Sequence, residues 1–102
     1  SDDDDRTRWE SQVSHVVRAI QDCSGVKAYV LRDGQPAMPE FAPRGYIEFD
    51  DPDRIGDVIA KLLNGQPSVV ARQSDNRIII DPMTMRSGEE EIVAERLKDI
   101  LS

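Results

Sequence analysis

Apolar residues along this chain recur with two alternating periods, and the switches between them mark out the elements. Trp9, Val13, Val16, Val17 and Ile20 are spaced by threes and fours, which predicts a helix from Thr7 to Asp22, closed by Ser24-Gly25. Val26 to Leu31 alternates instead, with Val26, Ala28 and Val30 on one side and Tyr29 and Leu31 on the other, as a strand requires. Asp33-Gly34 marks a turn, and the stretch to Pro43 holds Pro36, Pro39 and Pro43, so it reads as an irregular loop. Arg44 to Phe49 returns to the period of two. Asp50-Asp51-Pro52-Asp53 then combines a capping carboxylate with a proline suited to a first helical turn. Ile55, Val58, Ile59, Leu62 and Leu63 form the stripe of the helix that follows, and Asn64-Gly65 ends it. Ser68 to Arg72 and Arg77 to Asp81 are two short β-branched runs joined through Ser74-Asp75-Asn76, a hairpin signature. Ser87-Gly88-Glu89-Glu90 opens a last helix, with Ile92, Val93, Leu97, Ile100 and Leu101 on its buried face.

The order helix, strand, strand, helix, strand, strand, helix predicts an α+β fold. Its form is a two-layer sandwich, an antiparallel or mixed sheet with helices on one face. The first six elements read as two αββ units, Val16-Val17 before Gly25 echoing Val58-Ile59 before Gly65. At 102 residues there is room for one domain, expected over 7–102 after an acidic lead-in or linker at 1–6.

Charge narrows the function. With 13 Lys+Arg against 20 Asp+Glu the net charge is −7, the opposite of the basic surplus that general nucleic-acid binding or attraction to an anionic membrane requires. A single cysteine cannot close a disulfide within the chain or make a zinc site alone. No apolar run approaches the ~20 residues of a membrane span and no signal peptide opens the sequence, so the expected compartment is the cytoplasm.

Candidate chemistry is sparse. His15, the one histidine, lies beside the apolar stripe of the first helix with no nucleophile placed for it by sequence, and reads as a half-exposed helix residue. Cys23 reads as a small buried residue. Lys27, Lys61 and Lys98 read as solvated charges, and no Gly-rich phosphate loop is present. The arginines offer more. Arg72 closes the apolar run from Pro67, and a guanidinium there could grip a carboxylate or phosphate with two parallel hydrogen bonds. Arg44 and Arg77 are weaker candidates of the same kind.

Three segments together carry a resemblance. Leu62-Leu63-Asn64-Gly65-Gln66-Pro67-Ser68-Val69-Val70-Ala71-Arg72 is followed by Arg77-Ile78-Ile79-Ile80-Asp81-Pro82-Met83-Thr84-Met85 and then Gly88-Glu89-Glu90-Glu91. The set resembles the C-terminal small domain of the selenium-transferase-like branch of fold-type-I pyridoxal-phosphate enzymes. That branch holds relatives of L-seryl-tRNA(Sec) selenium transferase and of sugar-acid ammonia-lyases. Its pattern is met at Leu62, Gly65, Pro67, Arg72, Asp81 and Thr84, and the resemblance runs from about Trp9 to Leu101. Met83 stands where the selenium transferases tend to have arginine, which favours a lyase-like relative.

The resemblance implies a small domain that covers the active site of a larger lyase or transferase acting on an amino-acid or amino-sugar-acid substrate. Pyridoxal phosphate would be bound by a large domain of the same parent and by no residue of this chain, and the parent would be a homo-oligomer. Arg72 would hold the substrate carboxylate. The chain alone would not be catalytic. A second expectation from the element order is a stand-alone α+β module for ligand sensing or protein interaction. An uncovered apolar patch, sought around Met38 and Phe41, separates the two. A hydrolase centred on His15 is a third and weaker reading.

Overall fold

The computed structural model describes residues 2–32, 43–66, 68–69 and 71–102. Helix α1 (Asp2–Ile20) is followed by strands β1 (Val26–Leu31) and β2 (Arg44–Phe49). Then come a 3-10 turn (Pro52–Arg54), helix α2 (Ile55–Leu63), strands β3 (Arg72–Ser74) and β4 (Arg77–Ile80), a second 3-10 turn (Pro82–Thr84) and helix α3 (Glu89–Leu101). The four strands form one sheet in the order β1-β2-β4-β3, every neighbouring pair antiparallel. Each αββ unit contributes one hairpin. The units join through their second strands, so β2 and β4 lie inside and β1 and β3 at the edges. The α+β class and the element order are those the hydrophobic pattern predicts, and the sheet is antiparallel, one of the two forms that pattern left open.

Alternation divides the sheet into two faces. Ile47 and Phe49 on β2 and Ile78 and Ile80 on β4 point to one side, where they pack with Val16 and Ile20 of α1, Ile55, Val58 and Leu62 of α2, and Val93, Leu97 and Leu101 of α3. All three helices therefore cover the same face. Gly45 sits where α1 crosses β2, and a Cβ there would lie 2.9 Å from Val13 Cγ2, so the close helix–sheet approach requires a residue without one.

Four expectations are corrected. Helix α1 begins at Asp2, ahead of the start at Thr7 that the hydrophobic spacing predicts. Carboxylates in a first turn suit the positive end of the helix, and Asp5 pairs with Arg8 one turn on at 3.6 Å. Helix α1 also stops at Ile20, with Gly25 at φ +79 in the reversal before β1. Of the strand expected over Ser68–Arg72, only Arg72 belongs to β3 among the described residues. The Val69 amide donates to Leu62 O at 3.0 Å and the Ser68 hydroxyl to Leu63 O at 2.7 Å, so the end of α2 captures this segment before it reaches the sheet. Leu63 and Ile92, expected on buried faces, are 50% and 46% exposed. Leu63 is the last residue of α2, while Val93, Ala94, Leu97 and Leu101 fill the inner face of α3.

Caps follow the predicted chemistry. Asp51 accepts from the Asp53 amide at 3.0 Å and Asp81 from the Met83 amide at 2.9 Å, each before a proline in the first turn. Gly65 is not in the left-handed conformation expected at the helix end, and its open side is occupied by Arg96. The Arg96 guanidinium donates to Lys61 O and Leu62 O at the end of α2, and a Cβ on Gly65 would overlap it.

One buried polar contact links the helices. Gln12, 2% exposed, donates from Nε2 to Arg86 O at 2.9 Å and to Glu90 Oε1 at 3.0 Å. Burial pushes the Glu90 carboxyl up, but the Gln12 amide, the backbone amides of Glu90 and Gly88 and the charge of His15 outweigh it and hold the group below its usual value of 4.5. A carboxyl depressed in the folded state stabilises the fold above its unfolded pKa, and that contribution disappears as pH falls through the folded value. The stability difference between the wild type and Glu90→Gln should therefore be constant above pH 4.5 and shrink on acidification below it. Urea titrations across that range check this; a difference independent of pH would rule out the linkage.

Candidate anion-binding face

The face of the sheet opposite the helices carries the candidate side chains. Parity along each strand and the register between strands arrange it in rows. One row runs Tyr29, Tyr46, Ile79, Arg72 across β1, β2, β4 and β3. The row on one side runs Lys27, Glu48, Arg77, Ser74, and on the other side Leu31 lies opposite Arg44. The three arginines read from the sequence as anion binders, Arg44, Arg72 and Arg77, thus all belong to this one face.

Their surroundings separate them. Arg44 Nε lies 3.9 Å from Asp81 Oδ2, a weak ion pair within the same domain, and is buried without a hydrogen-bond partner among the described residues. Asp81 in turn is occupied as a cap, and the Thr84 hydroxyl donates to its backbone oxygen at 3.1 Å. The motif positions Asp81 and Thr84 are thus committed to the turn after β4.

Arg77 is held by aromatic rings. Tyr29 and Tyr46 stack with centroids 5.6 Å apart and planes 5° from parallel, and the Arg77 guanidinium lies over the Tyr46 ring at 4.9 Å. A cation over the negative face of a ring, beside a stacked pair, stays where it is put. The nearby Tyr29 side chain raises the Arg77 pKa, with desolvation opposing it, so Arg77 is a permanent cation. Tyr46, 7% exposed, is buried beneath this assembly.

Arg72 is different again. It is exposed at the start of the edge strand β3, and its side chain has no hydrogen-bond or ion-pair partner among the described residues. A guanidinium in water with no internal acceptor keeps its whole donor fork for a ligand. Its place corrects one detail: Arg72 opens β3 and does not close a strand, yet it still stands at a strand end. Tyr29, Tyr46 and Ser74 are the members of this face that the sequence reading did not single out. Their signal was present as strand parity, which places them with the arginines once register is known.

The remaining candidates lie elsewhere. His15 is half-buried on α1, where its charge acts on Glu90 of α3. Cys23 is half-buried and packs against the core. Lys61 pairs with Asp57 at 3.0 Å, Lys98 lies 4.0 Å from Glu95, and Lys27 is exposed across from Glu48. A cavity of about 760 Å³ opens beside α1, lined in part by Ser14, Arg18 and by Arg32, which donates to Glu10. A crevice of about 30 Å³ lies by Asp81 and Thr84. The three candidate arginines are absent from the described lining of both. The patch expected around Met38 and Phe41 lies outside the described residues. Among the described residues no group of three His, Cys, Asp or Glu side chains is placed to hold a metal ion, and no helix is long and apolar enough to cross a membrane.

No protein-family model matches the chain, and no curated protein matches it. Among solved structures, that of D-glucosaminate-6-phosphate ammonia-lyase is similar, with a TM-score of 0.68 and 23% identity over 89% of this chain and 26% of that chain. At that identity the likeness is one of fold. The chain therefore shares its architecture with a segment that is about a quarter of a longer polypeptide.

Proposed function

We propose that this chain is the small domain of a pyridoxal-phosphate-dependent lyase or transferase, and that it covers the active site and anchors the substrate. The observation that carries the reading is Arg72, whose side chain has no partner among the described residues, on the sheet face opposite α1, α2 and α3, in a fold similar to part of an ammonia-lyase chain. In this reading another domain packs on the face opposite the described helices, and a guanidinium at its edge meets whatever lies between them. Arg72 holds the substrate carboxylate with its two parallel donors. Arg44 contributes less, because Asp81 competes for it, and Arg77 lends fixed positive charge.

The cofactor does not fit this chain. Pyridoxal phosphate needs a lysine for its Schiff base, and Lys27, Lys61 and Lys98 are exposed or ion-paired surface charges. It belongs to the large domain of the same parent, the partner that this reading requires, and the whole acts as a cytoplasmic homo-oligomer on an amino-acid or amino-sugar-acid substrate. The role of the present chain is orientation and the exclusion of water. Sequencing the source gene upstream of Ser1 tests the proposal. It predicts roughly 250 further residues, enough for the extra domains, with a lysine placed after an apolar strand. A stop codon directly upstream would refute it in favour of a stand-alone module.

A further inference from the structure

The two edges of the sheet are unlike. The Asp50 amide donates to Gly25 O at 3.0 Å and the Phe49 amide to Asn76 O at 2.8 Å, and these bonds set the phase of the ladders. Facing residues of antiparallel strands alternate between pairs that exchange backbone bonds and pairs that do not. Lys27, Tyr29 and Leu31 therefore bond to Glu48, Tyr46 and Arg44, while the N–H and C=O groups of Val26, Ala28 and Val30 point away from the sheet. No described strand lies beyond β1 to receive these three donors and three acceptors. At the other edge β3 has three residues, and only Gln73 turns its backbone outward. Side chains show the same difference. Phe49 and Ile47 of β2 are each 1% exposed, whereas Val26 and Ala28, directly opposite them on β1, are only half-buried. The guards that usually blunt a free edge are few in β1: it has no proline, no bulge in its register with β2, and Lys27 as its one charge.

We infer that β1 is an interface between two copies of this chain, pairing antiparallel with itself about a two-fold axis at Ala28. The inference is independent of the reading of Arg72. One register uses the three outward-facing residues of β1 and no others. In it Ala28 faces Ala28 of the second copy and Val26 faces Val30 in both directions, so all six outward groups are bonded. The two four-stranded sheets become one, with the helices of both copies on the same side. Val26, Ala28 and Val30 gain the apolar neighbours they lack on their outer side, with the small alanine on the axis. On the other face this register sets Lys27 opposite Tyr29 of the second copy. One side of the Tyr29 ring is stacked on Tyr46, with centroids 5.6 Å apart, and its other side is turned towards the open edge, where an ammonium can lie against it. Lys27 would repel a second lysine across from it, but here it meets a ring instead. This match of β1 to itself is what makes a second copy the partner.

Hydrogen exchange of the 102-residue chain over a range of protein concentrations, with sedimentation to follow the dimer, reads the pairing residue by residue. The amides of Lys27, Tyr29 and Leu31 are bonded within the sheet and should be protected at every concentration. Those of Val26, Ala28 and Val30 should exchange freely in dilute solution and about tenfold or more slower once the dimer forms. Ala28→Pro removes an outward donor and no bond of the β1–β2 ladder, so it should leave the fold intact and weaken dimerisation by about tenfold or more. Lys27→Glu, at an exposed position, should weaken it severalfold by replacing the cation against the ring. Amide dispersion reports whether each variant is folded, and the exchange pattern of the unaltered chain decides without them. A chain that stays monomeric at millimolar concentration, a dimer whose three outward amides remain unprotected, or unchanged dimerisation in folded Ala28→Pro would overturn the interface.

Discussion

Ile78→Ala is expected to destabilise the domain by about 2–5 kcal/mol, the range for truncating a fully buried isoleucine. Ile78 is fully buried at the middle of β4, between Ile47 of β2 and the helices, so the core closes over any gap left there only by moving several elements at once. A domain of this size is held by only about 5–15 kcal/mol, so the loss brings it close to unfolding at ordinary temperature. The comparison that matters is Ile79→Ala, one residue along on the opposite face, half-buried under Arg72 and Tyr46. It should cost clearly less. Urea denaturation with an unchanged slope reads both values as shifts of the midpoint. Equal costs would contradict a core confined to one side of the sheet.

Arg72→Ala, made in the longer protein to which this domain is proposed to belong, is expected to weaken substrate binding by tenfold to a hundredfold. A hydrogen bond to a charged group contributes about 1.5–3 kcal/mol, and each 1.4 kcal/mol is about a factor of ten. Truncation here should leave folding nearly unchanged, because the Arg72 side chain is exposed and has no partner among the described residues. Arg72→Lys keeps the charge and loses the planar fork, so it should recover only part of the affinity. Arg44→Ala is the contrasting variant. It removes the weak ion pair with Asp81 and should change stability by no more than about 1 kcal/mol, with a smaller effect on the substrate. Steady-state kinetics of the three variants separate these outcomes. Unchanged substrate affinity and turnover in Arg72→Ala would remove Arg72 from the site.

Much of this fold is legible because each element buries one face and so imposes one period. The stripe from Val13 to Ile20, the alternation from Arg44 to Phe49 and the aspartate–proline caps can be read without any knowledge of what they pack against. The acidic start of α1 was not legible, since Asp2 to Arg6 contains no apolar residue to set a phase, and the helix dipole and charge pairs such as Asp5 with Arg8 favour its conformation instead. The late start of β3 was missed for another reason. Ser68 and Val69 have strand-like side chains, but their backbone and hydroxyl groups bond to the end of α2, a contact that β propensity does not encode. The candidate face lies between these cases. That Arg77 and Ile79 share a side of β4 follows from parity alone. That Arg72, Tyr46 and Tyr29 share it too follows only from register, which the turn at Asp75 (φ +57) and the β2–β4 pairing set. Choosing Arg72 over Arg44 needed the position of Asp81, which only the folded chain supplies.

The most direct measurement of the central claim is the pyridoxal phosphate content of the purified full-length gene product, by its absorbance and after release of the cofactor. The account predicts one equivalent per polypeptide, held outside the residues described here. A full-length protein that folds and carries none, and binds none when it is supplied, would contradict it.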